Sequence, residues 1–250
     1  MKLYEATGKY KQIISRDNAL KEVKKCSDAL SFADTPITRG MTGSEEFYIL
    51  HGEAGSRAST NTNNIYTIIL SELLGKKGYP RRSASIICTN YTGRYYASSY
   101  GESYRILPHN SVAIGVCPEI DMFATPIKFA GKELTIVELN DIIGDLLNFA
   151  SKKVTSTTTY DDLISNIAYS LELAKNSNPP YPHLDKFTGV TPKNSRVVIE
   201  TVYRNAKFSL ATPATSEIFN DGNPHELWIG GPCLAIREDV YYDFIEESLK

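Results

Sequence analysis

The stretch GYPRRSASIICT, residues 78–89, sets a tyrosine, a proline and two arginines ahead of an alternating run. Read as a strand over Ser83–Cys88, it places Ser83 and Ser85 on one face and Ala84 and Ile86 on the other, because alternate strand residues share a face. Two hydroxyls side by side can bind a ribose, an amide or a carboxylate. They equally suit the wet face of an amphipathic sheet.

Working outward, Asn63–Leu74 carries Ile65, Ile68, Ile69 and Leu73 at helical spacing. Downstream, Thr92–Tyr100 reads as a short helix capped near Thr92, and Tyr104–Leu107 and Val112–Val116 read as strands. Upstream, Ser15–Phe32 reads as a helix with Asp17 as its cap. The chain then reaches Arg39-Gly40, a loop at Met41–Gly43, a short strand or turn at Phe47–Leu50 and a polar loop over 51–63. In the middle, Ile136–Phe149 and Tyr160–Ala174 are expected helices, and NSNPPYPHL breaks the pattern. Val197–Val202 and Phe208–Leu210 fit strands, or Val197–Tyr203 a short helix. ELWIGGPCLAI, residues 226–236, is apolar with a Gly-Pro turn inside, and Asp239–Leu249 closes the chain as a helix. Strand material early and late, with helices between, is an α+β pattern. We expect one catalytic-type domain over 1–250, a mixed or split sheet with flanking helices, and a helical insertion at about 133–176.

The 250 residues carry a formal charge of −2, which sets the chain apart from strongly basic nucleic-acid-binding domains. Its 16 tyrosines against one tryptophan point to polar-lined clefts or interfaces. Cys26, Cys88, Cys117 and Cys233 are widely separated and read as reduced structural thiols. His51, His109, His183 and His225 lack metal-ligand spacing, so no metal is expected. The N-terminus lacks the apolar core of a signal peptide, and no run matches a membrane span. A cytoplasmic address follows as the expectation: the cell's own, or the host's for a phage-encoded or delivered effector. There is no G-x-S-x-G elbow, no Walker loop and no Rossmann glycine fingerprint.

Three pieces carry candidate chemistry. Arg39, before Gly40, can fork toward a phosphate where the backbone permits close approach. Ser83 and Ser85 supply the hydroxyl pair. Glu226 opens an apolar strand, with Trp228 on its face. In this order the pieces resemble the mono-ADP-ribosyltransferase family, of the arginine–serine–glutamate type. ITRGM resembles its arginine motif, RSASIICT its serine-x-serine strand, TGRYYASSYG the short helix that follows, and HELWIGGPCLAI the strand that begins with the catalytic glutamate. The resemblance covers about residues 36–117 and 215–237.

It implies an ADP-ribosyltransferase-like fold and NAD as co-substrate. It also implies cleavage of the nicotinamide–ribose bond and transfer of ADP-ribose to a protein or nucleic-acid acceptor left open. Glu226 would hold the ribose and stabilise oxocarbenium charge. Arg39, with Gly40 beside it, would bind phosphate or the nicotinamide-ribose side of NAD, Ser83 would orient Glu226 or contact the nicotinamide ribose, and Ser85 would support the strand and site. Among Tyr91, Tyr95, Tyr96 and Tyr100, Tyr96 is the expected ring over the nicotinamide. Pro224 stands where arginine-modifying members have an acid. Asp121 and Glu119 are rival acids. A catalytically silent binding or structural protein of α+β fold is the competing reading.

Overall fold

The computed structural model describes residues 10–52, 64–155 and 157–250. In chain order the elements begin with β1 (Lys11–Ile13), α1 (Arg16–Glu22), α2 (Ser27–Leu30), β2 (Ile37–Met41), β3 (Phe47–His51) and α3 (Ile65–Gly75). Next come β4 (Ile86–Thr89), α4 (Arg94–Ala97), β5 (Glu102–Pro108), β6 (Ile114–Val116), β7 (Pro126–Phe129) and β8 (Lys132–Thr135). The chain finishes with α5 (Ile136–Phe149), α6 (Tyr160–Asn176), α7 (Ser195–Arg204), β9 (Ser209–Ala211), β10 (Glu226–Ile229), β11 (Pro232–Arg237) and α8 (Tyr241–Ser248). The polar loop expected over 51–63 lies, from residue 53 on, outside the described residues.

The α+β class is what the chain adopts. Two compact units make it up. The first comprises Met1–Arg57, Lys77–Met122 and Phe208–Lys250, and the second Ala58–Lys76 and Phe123–Lys207. The insertion expected at 133–176 falls inside the second. In the first unit the described strands form one sheet, ordered β1-β3-β11-β5-β2-β4-β10-β6-β9. Every pairing in it is antiparallel. The core gathers Ile37, Ile106, Leu227, Leu234 and Ile236 from the strands, with Ala19, Val23 and Cys26 and with Tyr241 and Phe244 from the flanking helices. Phe47 of β3 meets Phe244 of α8 with ring centroids 4.9 Å apart.

The N-terminal helix is not continuous. After α1 the chain tightens into a 3-10 turn at Val23–Cys26 before α2. Val23, Cys26 and Ala29 are all buried, and their spacing of three is the one a 3-10 turn aligns. Ser15, rather than Asp17, caps α1, its side chain accepting from the Asn18 N–H. The helix expected from Thr92 is likewise split, into 3-10 turns at Tyr91–Gly93 and Ser98–Tyr100 around α4, and its cap is Asn90. At 197–203 the helical alternative is the one adopted, as α7.

In the second unit α5 starts on a reciprocal capping box. The Thr135 hydroxyl accepts from the Glu138 N–H, and the Glu138 carboxylate accepts from the Thr135 N–H. Its buried stripe runs through Leu139, Ile143, Leu146 and Leu147. The β7–β8 hairpin turns at Ala130-Gly131, both with positive φ (50° and 79°).

All four cysteines are buried thiols. Burial pushes the Cys26 thiol up to about 12 and raises that of Cys233 well above its ordinary value. The thiolate is the reactive form. A thiol reagent at pH 8 therefore labels none of them in the folded protein within the time that labels all four in denaturant. Rapid labelling of the native protein would contradict this burial.

Candidate functional site

The three segments singled out in the sequence become three neighbouring strands, β2, β4 and β10. Register then fixes which side chains meet, because directly paired residues share a face. Arg105 of β5 pairs with Thr38, Thr38 with Thr89, and Thr89 with Glu226. All four are buried, so a polar row crosses four strands on one face. Arg105 Nη1 donates to the Thr38 hydroxyl at 3.2 Å, and its Nη2 donates to Glu238. The Arg105 guanidinium carbon lies 5.4 Å from the Tyr91 ring centre.

Arg39 follows Thr38, so its side chain leaves β2 from the opposite face. Strands β2 and β4 pair at one position, Thr38–Thr89. Beyond it Arg39 Nη1 donates to the Ile87 carbonyl, supplying by side chain what the ladder would supply by backbone. Gly40 sits beneath α4, and a Cβ there would collide with the Ala97 carbonyl.

The serine strand is shorter than its sequence suggests. Residues Arg82–Ala84 form a 3-10 turn, and the strand begins at Ile86. The Ser85 hydroxyl donates to the Arg81 carbonyl at 2.7 Å, and the Ala84 N–H to the same oxygen at 2.9 Å. These local bonds compete with a ladder, as serine side chains often do. Ser83 and Ser85 are thus not two steps of one strand. The Glu226 contact in this segment comes from Arg82: its Nε and Nη2 donate to Oε1 at 3.2 and 2.6 Å.

The segment after β6 wraps the other side of Glu226. The Met122 N–H donates to Oε2 at 3.1 Å. The Glu226 N–H donates to the Glu119 carbonyl at 2.8 Å, and its carbonyl accepts from the Cys117 N–H at 2.9 Å. Glu119 therefore meets Glu226 through its main chain. Asp121 accepts from the Tyr96 hydroxyl at 3.3 Å, and Tyr96 accepts from Tyr100 at 3.0 Å. Burial first, then the Tyr100 bond and the Asp121 charge, raise the Tyr96 phenol above its ordinary value. Sequence reasoning missed Arg82, Arg105 and Thr89 as members of this neighbourhood.

The loop before Glu226 is cross-braced. Asn90 donates to the Phe219 and Asn223 carbonyls, both at 2.6 Å, and accepts from the Gly93 and His225 N–H groups. His225 faces the Cys117 carbonyl through Nδ1 at 2.8 Å and Asp221 through Nε2 at 2.9 Å. Asp221 also accepts the Asn223 N–H and side-chain amide. These bonds, with the Asn223 backbone first, hold the Asp221 carboxyl at about 2 against an ordinary 3.8.

A depressed carboxyl stabilises the fold above its unfolded value, and that contribution disappears as pH falls through the folded one. The stability lead of the wild type over Asp221→Asn is therefore expected at pH 5 and shrinks between pH 3.8 and 2. Urea midpoints read it. A lead as large at pH 2 as at pH 5 would refute the linkage.

Among the described residues no group of three His, Cys, Asp or Glu is placed to hold a metal ion, and no helix is long and apolar enough to cross a membrane. No protein-family model, curated protein or solved structure matches the chain.

Proposed function

We propose that the protein is a mono-ADP-ribosyltransferase that takes NAD as substrate, with Glu226 as the carboxylate that stabilises the ribosyl cation. The observation that carries this reading is the adjacency of β2, β4 and β10, with Glu226 in register with Thr89 and Thr38. Segments nearly 200 residues apart thereby lie on neighbouring strands of one sheet.

In the reaction the C1′–N bond to nicotinamide breaks and its electron pair leaves with nicotinamide, which departs neutral. No proton donor to the leaving group is needed, unlike ordinary glycoside cleavage. Positive charge develops on the ribose. Glu226 would accept the ribose hydroxyl proton in a hydrogen bond and stabilise that charge. An acceptor nucleophile then bonds C1′ and loses a proton; with water as acceptor the product is free ADP-ribose. Gly40, Ser83, Ser85 and Tyr96 remain the proposed NAD contacts, while Arg39, which leaves β2 on the face opposite Glu226 and donates to the Ile87 carbonyl, supports the sheet. The acceptor is a group on a protein or nucleic acid.

A specific observation favours the second reading, a binding or structural protein: Glu226 is buried and ion-paired with Arg82 at 2.6 Å. Buried pairs of this kind also occur as plain structural features. Incubation with NAD separates the two. Time-dependent nicotinamide release supports the transferase; a protein that neither releases nicotinamide nor binds NAD calorimetrically is the structural one.

A further inference from the structure

We infer that Arg82, and not a serine, is the positioning residue of Glu226; this rests on the transferase reading above. A carboxylate offers four in-plane acceptor positions. Arg82 Nε and Nη2 occupy both positions on Oε1, and the Met122 N–H occupies one on Oε2. Among the described residues no donor takes the second lobe of Oε2, and a ribose hydroxyl is a donor that fits it. The Glu226 side chain is 8% exposed, so it needs a counter-charge, and Arg82 supplies it.

The turn that presents Arg82 is built onto the strand that carries Glu226. Residues 226, 228 and 230 share a face of that segment. Glu226 takes Arg82, the Trp228 indole N–H donates to the Pro80 carbonyl at 3.0 Å, and a Cβ at Gly230 would collide with the Pro80 ring. Three successive positions on one face thus grip residues 80–82. The carboxylate and its partner arginine are fixed to each other, and substrate enters a preset geometry rather than organising it.

The test is a kinetic cycle on the full chain with NAD, using Arg82→Met, Arg82→Lys, Glu226→Gln and the double variant R82M/E226Q. Nicotinamide release and thermal midpoints are read on the same samples. Arg82→Met is expected to lower kcat about 10- to 100-fold with KM for NAD changed less than about threefold, because Arg82 acts through Glu226. Arg82→Lys recovers part of the loss. The double variant is no slower than Glu226→Gln alone, and it melts no lower than the less stable single variant. A folded Arg82→Met with wild-type kcat, a loss confined to KM, or a double variant slower by the product of the single losses would each overturn the inference while leaving the transferase reading intact. A wild type that releases no nicotinamide overturns that reading and the positioning role of Arg82 together.

Discussion

In Glu226→Gln, nicotinamide release from NAD falls by about a hundredfold or more, the loss expected when an electrostatic contact made in the transition state is removed. Glutamine keeps the size and the oxygen but not the charge. It also removes the Glu226 charge from the Arg82 guanidinium, which is 12% exposed. Removing one partner of a buried pair costs about 3–5 kcal/mol, so the variant melts lower as well. Rate and fold must therefore be read together. The rate is measured well below the variant's melting temperature, with circular dichroism showing the native spectrum. A folded Glu226→Gln with wild-type turnover would remove Glu226 from the chemistry.

Trp228→Ala loses about 3–5 kcal/mol of stability, on the scale of buried large-to-small replacements. The Trp228 side chain is fully buried. Its ring lies edge-on to Phe208 at 5.7 Å and stacks on Tyr79 at 6.3 Å. Gly115 of β6 faces it, and a Cβ there would run into the indole. The bond to Pro80 ends with the indole, so the grip on the Arg82 turn loosens too. Chemical denaturation gives the number; a loss below about 1 kcal/mol would contradict the packing.

Helices with local signals were legible. Thr135, Glu138 and a stripe at three and four spell out α5 without reference to anything distant, and the observed helix has the expected bounds. ELWIGGPCLAI likewise announces two strands and a turn. The β7–β8 hairpin escaped notice although PIKFAGKELT alternates and carries Gly131 where a positive φ is needed. Ser83–Cys88 misled because Arg82–Ala84 closes a 3-10 turn and the Ser85 hydroxyl bonds the Arg81 carbonyl instead of extending the strand. The candidate site was legible as a set of segments and not as a set of contacts. Arg82 and Glu226 lie 144 positions apart, and no local pattern encodes such a pairing. Arg105 read as one more polar residue in a strand until register placed it beside Thr38.

The sheet order has a consequence for how the chain is made. Strand β11 lies between β3 and β5, and β10 between β4 and β6. Both interior positions are filled by segments that leave the ribosome after every other strand. Until then β3, β4, β5 and β6 present open edges, the surfaces most prone to pair with foreign strands. Newly made chains that stop before Ile229 should be captured by chaperones or aggregate, because these edges stay open until β10 and β11 are made.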